Sequence, residues 1–289
     1  MIILLGSNGY VGSAFSKYLS TKRLEVKRIC RFCYYDEQEL THILKLKQPE
    51  FLINCAGYTG KPNVDACEDN KTSCLHANAV LPGIIARACA VANVPWGHIS
   101  SGCVYQGKRY GAGWEENDPP NLCFTSPLKS SFYSGSKALG EELVANANSQ
   151  CYIWRLRIPF NEVDSDRNYI SKILRYDKLL DVQNSLCHLD EFVKACWQCW
   201  TIKAPFGIYH MTNGGSISTR EIAEMTVHFG LTDKKFTYFE DCNDFTKTVR
   251  TPRSSCVLSN AKALSAGISL RPVREALGNS MRDWNEKAC

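Results

Sequence analysis

Met1-Ile-Ile-Leu-Leu-Gly6-Ser-Asn-Gly9-Tyr-Val-Gly12 opens the chain. A short apolar run suited to a buried strand gives way to glycines at every third position and then to a helical pattern over 10–21. Glycine has no Cβ, so the backbone can turn tightly there and come close to an anion, and the amides at the start of the following helix face that anion. The spacing G-x-x-G-x-x-G differs from the commoner G-x-G-x-x-G, and by itself it also fits a plain strand-to-helix turn. Between a strand and a helix it predicts a dinucleotide site built from Gly6, Asn8, Gly9, Tyr10, Val11 and Gly12.

Working outward, apolar runs at 1–5, 25–30, 50–56, 94–101 and 151–158 read as strands. Helical patterns at 10–21, 36–47, 78–92 and 133–148 lie between them. Asp36-x-x-Glu39 fits a capping box that starts the second of these helices. Alternating strands and helices predict an α/β fold, a Rossmann-type doubly wound parallel sheet covered on both faces. Residues 1–160 form the expected dinucleotide-binding domain. Residues 161–289 are mainly a smaller C-terminal substrate-binding lobe, with 187–213 returning to the first domain. In this half, 207–212 reads as a strand, Ser218-x-x-Glu221 opens a helix ending near Gly230, and 272–287 reads as a closing helix. The Gly-, Pro- and Ser-rich stretch 106–131 is long enough to be a functional loop over an active site.

The 289 residues suffice for a sizeable core, and 44% hydrophobic with 22% charged residues is ordinary for a globular protein. The net charge of +5 comes without a basic block, so nothing points to nucleic acid. The opening apolar run is too short for a membrane span or a secretory signal. Fifteen cysteines at irregular spacing do not suggest a disulfide framework, and together these features predict a cytoplasmic, reducing setting. Cys-x-x-Cys occurs at Cys30/Cys33 and at Cys196/Cys199. A zinc site would need the pairs to meet in space, and the second lies in an apolar helical stretch suited to core packing, so no metal is expected.

The end of the second strand usually discriminates between nicotinamide cofactors. An acidic residue there would bind a ribose hydroxyl. The segment is instead Lys27-Arg28-Ile-Cys-Arg31, and guanidinium groups suit a 2′-phosphate, so NADPH is the expected cofactor, with NADH as the alternative. Arg28 and Arg31 also read as solvated strand-end charges. Asn54-Cys-Ala-Gly57 ends the third strand, and small Ala56 and Gly57 would let a cofactor lie close to the sheet.

Tyr133 and Lys137 lie four apart on one helical face. A free tyrosine has a pKa near 10, and a neighbouring ammonium is expected to lower it. Ser101, at a strand end, could share the same substrate oxygen. Together the three would supply a proton to a carbonyl while hydride arrives from a nicotinamide.

Taken with the glycine loop, these residues resemble the extended short-chain dehydrogenases/reductases, and within them the dTDP-4-dehydrorhamnose reductase branch. The stretches that carry the resemblance are Gly57–Glu68, Ser101-Gly-Cys103, Ser131–Lys137, Arg155-Leu-Arg-Ile-Pro159, Arg167–Lys172 and Pro252-Arg-Ser254, which together span most of the chain. The pattern is most similar to the bifunctional UDP-4-keto-6-deoxyglucose 3,5-epimerase/4-keto-reductases of UDP-rhamnose synthesis. That resemblance implies epimerisation followed by reduction in one pocket. It places one acid/base group at Cys103, whose thiol a nearby positive charge would activate. It places the second at Lys172, which burial among cations could render neutral. Ser101 and Tyr133 would stabilise the enolate oxygen. Asn168 and Arg253 are implied substrate contacts, each with a structural alternative, a helix cap and a salt bridge respectively. Asn184 is a weaker candidate that reads better as a turn residue.

Plant enzymes of this kind can carry an upstream 4,6-dehydratase domain. No such domain is seen here, so a separate dehydratase is the expected source of UDP-4-keto-6-deoxy-D-glucose. Gly135 stands where the plant-type pattern has Lys, at a position expected to tolerate variation. No membrane partner is expected, and a homodimer is compatible with the resemblance. The rival readings are a 4-keto reductase without epimerase activity and a catalytically silent dinucleotide-binding regulatory subunit.

Overall fold

The computed structural model describes residues 1–109 and 113–284. Six parallel strands form the central sheet: β1 (Ile2–Leu5), β2 (Val26–Arg28), β3 (Phe51–Asn54), β4 (Trp96–Ser101), β5 (Cys151–Leu156) and β6 (Gly207–His210). Their order across the sheet is β2-β1-β3-β4-β5-β6. The chain leaves β1 for one edge and returns on the other side at β3. This doubly wound order puts the switch point, where such sheets bind ligands, between β1 and β3.

Five longer helices flank or border the sheet: α1 (Tyr10–Thr21), α2 (Glu37–Lys47), α3 (Lys71–Ala92), α4 (Phe132–Asn146) and α5 (Leu189–Thr201). Phe15 and Leu19 of α1 are fully buried in one core cluster with Trp154, Phe192 and Tyr209. Each such side chain contributes roughly 1.5–3 kcal/mol through removal from water. A second cluster on the other face joins Leu40 and Leu44 of α2 to Ile85 and Cys89 of α3. α3 is long and apolar enough to cross a membrane by length and composition, yet 67% of its apolar window is buried inside the protein, as in a core helix. It starts earlier than the sequence pattern predicts, because a π-helical turn, His76–Val80, joins the segment before Asn78 to the segment after it.

The expected helix starts differ in detail. Ser218 and Glu221 make a full capping box at α7 (Thr219–His228). At α2 Asp36 accepts from the Gln38 and Glu39 amides, which is the forward half of a box. The C-terminal half of the chain also carries α6 (Tyr169–Arg175) and α8 (Val273–Arg282). The closing helix is shorter than the expected 272–287, whose last three residues lie outside the described residues. Phe160, Ile170, Leu186, Ile217, Ile222, Leu277 and Met281 form a separate core under these helices. Within 187–213, α5 packs against the sheet cluster and β6 pairs with β5. A later segment does so too: Ala263, Ile268 and Leu270 join the same cluster. Cys196 and Cys199 are buried in α5, where burial raises both thiol pKa values, that of Cys199 to about 12.

Candidate active site

The residues of interest gather at the C-terminal ends of the strands. Leu5 pairs with Asn54, so Gly6 and Cys55-Ala56 leave the sheet side by side. A Cβ on Gly6 (φ +69°) would fall 2.5 Å from the Ala56 nitrogen, and one on Gly12 would fall 2.1 Å from the Gly6 carbonyl oxygen. The chain's own backbone therefore requires both glycines. Gly9, which caps α1, would place a Cβ no closer than 3.4 Å to the Gly6 oxygen. Its smallness is not demanded by the protein, and that leaves the turn open to a close ligand. Asn8 is exposed, and Tyr10 and Val11 are half-buried at the start of α1. Ala56 is half-buried and Gly57 is exposed. A Cβ on Gly57 would meet Asn78 Oδ1 at 3.2 Å. Arg28 and Arg31 are both exposed at the end of β2, with the Arg31 guanidinium 5.0 Å from the centre of the Tyr35 ring.

Tyr133, Lys137 and Glu141 form a buried polar stripe along α4. Their spacing of four keeps them on one face. Ser131 starts the helix by accepting the Ser134 amide. Glu141 receives Arg155 through both carboxylate oxygens and accepts from Ser100 Oγ at 2.5 Å. Arg155 also donates to Tyr105 Oη at 2.8 Å. This buried ion pair anchors α4 to β4 and β5. Lys137 Nζ donates to the Ile99 carbonyl at 3.1 Å. Burial lowers the Lys137 pKa to about 8, opposed chiefly by the Glu141 charge.

Tyr133 departs from expectation. Burial raises its pKa above the free value, the Cys103 thiol adds to the rise, and the Ser101 side chain opposes it. The anticipated lowering by Lys137 is not what sets it: removal from water dominates, and the opposing influence comes from Ser101. At neutral pH Tyr133 therefore holds its proton, the state a proton donor needs.

Ser101 ends β4 and its Oγ accepts the Cys103 amide at 3.1 Å, folding Gly102–Val104 into a tight turn. Tyr133 and Cys103 share a small cluster with Cys67 and Cys74. The sheet register pairs Ser101 with Leu156, so the next residue along, Arg157, lies beside Cys103. Arg157 Nη1 donates to Cys103 Sγ at 3.0 Å, while Nη2 donates to Asn184 Oδ1 at 2.5 Å and to the Ser254 carbonyl at 2.6 Å. Sequence reading quoted Arg157 within a motif and gave it no role. The available signal was Arg-x-Arg at a strand end, where alternate residues share a face. Asn184, expected to be a turn residue, lies in the short strand Gln183–Asn184, where its side chain receives Arg157 and the Cys256 amide.

Lys172, on α6, has its pKa lowered first by burial and then by the charges of Arg167 and Arg253. Arg253 adjoins Ser254, whose carbonyl receives Arg157. Asn168 caps α6 through Ile170, and its amide donates to Asn161 and Val163. It is fully buried. Of its two readings the helix cap is the one seen here, with its side-chain amide engaged within the protein. Arg253 grips both oxygens of Asp65, at 2.6 and 2.7 Å, which is the structural salt bridge of the two readings. That pair holds the Asp65 pKa below the usual range.

The 106–131 segment is fastened to the site. Gly107 and Trp114 make backbone bonds to residues 255–259, and Tyr105 Oη donates to the Asp118 carbonyl at 2.6 Å. Phe124 lies over the catalytic helix, where a Cβ on Gly135 would fall 2.4 Å from its ring. A larger residue there moves the half-exposed Phe124 ring aside. A groove beside α4 is lined by Ser130, Ser131, Leu180, Phe245, Arg253 and Ser254, among others.

The family described as RmlD substrate binding domain matches residues 1–285. A bifunctional dTDP-4-dehydrorhamnose 3,5-epimerase/dTDP-4-dehydrorhamnose reductase of Arabidopsis thaliana is 30% identical over 299 residues, covering 99% of this chain and 93% of that one. A trifunctional UDP-glucose 4,6-dehydratase/UDP-4-keto-6-deoxy-D-glucose 3,5-epimerase/UDP-4-keto-L-rhamnose-reductase of the same plant is 28% identical over 95% of this chain, which spans only 41% of it. Among solved structures, a UDP-rhamnose synthase from Acanthamoeba polyphaga mimivirus superimposes with a TM-score of 0.89 at 21% identity, covering 98% of each chain. A dTDP-4-dehydrorhamnose reductase from Bacillus anthracis, in complex with NADP, gives 0.78 at 19% identity over 98% of this chain and 97% of that one. These two structural likenesses bear on the fold alone. With its glycine turn at the switch point and Ser101, Tyr133 and Lys137 at the strand ends, this chain belongs to the RmlD substrate binding domain family.

Proposed function

We propose that this protein is an NADPH-dependent reductase of a nucleotide-linked 4-keto-6-deoxyhexose that also epimerises the sugar at C3 and C5, forming UDP-L-rhamnose from UDP-4-keto-6-deoxy-D-glucose. The reductase part rests on Ser101, Tyr133 and Lys137 in one buried cluster at the sheet's C-terminal edge, and on relatives named for that chemistry. The epimerase part rests on one observation: the Arg157 guanidinium donates to Cys103 Sγ at 3.0 Å, two residues from Ser101.

NADPH, when bound, supplies the hydride; the open turn at Gly9 and the exposed Arg28 and Arg31 fit its pyrophosphate and 2′-phosphate. Tyr133 holds a proton for the developing alkoxide oxygen, and Ser101 donates to the same oxygen. Lys137, titrating near neutrality, sits one turn behind and can replace that proton. For epimerisation the Cys103 sulfur, beside a fixed cation, takes the proton next to the ketone. Lys172, its pKa lowered by burial and like charge, is the second acid/base group of this reading and exchanges a proton on another side of the sugar.

Product analysis by NMR after reaction with UDP-4-keto-6-deoxyglucose and NADPH tests the whole reading, and UDP-L-rhamnose is the expected product. Incubation in deuterated water without NADPH isolates the epimerase part. No deuterium at C3 or C5 would reduce the proposal to a 4-keto reductase alone. No NADPH oxidation would favour a silent regulatory subunit.

A further inference from the structure

Cys30 and Cys33 frame the turn that leaves β2. Cys30, in extended backbone (φ −64°, ψ 151°), precedes the short helix Arg31–Tyr35, and Cys33 lies in its first turn. Residues three apart at such a turn have Cβ atoms about 5–6 Å apart, a separation that small backbone and side-chain adjustments close to disulfide distance. The two thiols interact directly. The Cys33 thiol, followed by the Cys33 and Phe32 amides, lowers the Cys30 pKa, and the same contact raises that of Cys33. Both are free thiols; Cys30 is exposed, Cys33 is half-buried, and Phe32 between them is 89% exposed. Cys67 and Cys74 also interact, but both are buried beside Tyr133. Access therefore singles out the pair at the end of β2, which the proposed chemistry does not use.

We propose that Cys30 and Cys33 are a redox-active dithiol that exchanges with a low-molecular-weight disulfide and closes into an intramolecular disulfide. The Cys30 thiolate attacks glutathione disulfide, forming a mixed disulfide and releasing one glutathione thiolate. Cys33 then loses its proton and attacks the Cys30 sulfur, closing the protein disulfide and releasing the second glutathione. The cysteines lose two electrons and the glutathione disulfide gains them. The bridge spans Arg31, so closure restrains a guanidinium assigned to the cofactor 2′-phosphate; this consequence rests on the NADPH reading.

The test treats the intact, reduced chain with glutathione disulfide and follows each cysteine by peptide-resolved mass spectrometry. A peptide lacking two hydrogens and bridging Cys30 to Cys33 is expected. Cys33→Ser should accumulate glutathione on Cys30, at least about tenfold faster than on the exposed Cys242. Equal labelling of Cys30 and Cys242, or no bridge in the unmutated chain, would overturn the dithiol. In the same preparations, NADPH and NADH binding are measured by fluorescence before and after oxidation. Weaker NADPH binding with little change for NADH supports the link to Arg31, and no change in either overturns that link. Failure of the reduced chain to bind NADPH refutes the cofactor reading, with the dithiol still judged by mass.

Discussion

Arg157 reaches Cys103 Sγ with one guanidinium nitrogen and is held in place through the other by Asn184 and the Ser254 carbonyl. Three acceptors from three separate segments fix one cation against one sulfur. Arg157→Lys keeps a charge but replaces the planar fork with a single ammonium that cannot serve all three. Deuterium uptake into the keto sugar is expected to fall at least about tenfold, while reduction of a pre-epimerised ketone changes far less. Equal loss of both, by NMR and NADPH absorbance, would mean that Arg157 only supports the fold.

Cys103→Ala removes the proposed base without touching Ser101 Oγ, which accepts from the residue 103 backbone. Proton exchange at C3 or C5 should drop by about 100-fold or more, with hydride transfer to a pre-epimerised ketone largely intact. Tyr133→Phe should do the reverse, depressing reduction by a similar factor. An unaffected reductase rate would remove Tyr133 from the mechanism.

Lys137 gives a pH signature. Its folded pKa is about 8, below the ordinary lysine value. Between those pH values the unfolded chain binds more protons than the folded one, so stability rises with pH across that window and this gain is absent below it. Lys137→Met removes a buried cation, so its melting temperature should match or exceed the wild type at pH 7, and the gap should shrink as pH rises above 8. Its reductase rate should fall about 100-fold and lose the alkaline limb near pH 8 expected of the wild type. A retained limb would assign that ionisation elsewhere.

Glu141 and Arg155 are a buried pair, 5% and 1% exposed. Glu141→Ala strands the arginine and should cost about 3–5 kcal/mol in urea unfolding, whereas Glu141→Leu with Arg155→Met should recover most of that loss. If the double variant is as unstable as the single one, the pair's wider hydrogen-bond network dominates.

Asn168→Ala separates a cap from a ligand contact. Loss of the cap should cost about 1–2 kcal/mol with little change in KM. A large rise in KM with unchanged stability would assign Asn168 to the substrate instead.

Much of the site was legible because its signals are local. The glycine turn, the Tyr133–Lys137 spacing and Ser101 at a strand end each lie within one strand-turn-helix unit, where 2.0 and 3.6 residue periods dictate which side chains share a face. The β/α alternation told of a doubly wound sheet for the same reason. The chain's own residues also carried the family resemblance across nearly its full length.

Tertiary structure decided the long-range partnerships. Asn168 and Arg253 each had two readings, and their engagement by Asn161 and Asp65 could not be chosen from spacing. Tyr133 was expected to be lowered by Lys137, yet burial governs it, and burial belongs to the whole fold. Cys103 was one thiol among fifteen in the sequence. Parallel register between β4 and β5 brings Arg157 to it, and strand pairing across some 50 residues is fixed by the collective burial of the sheet, not by any motif within it.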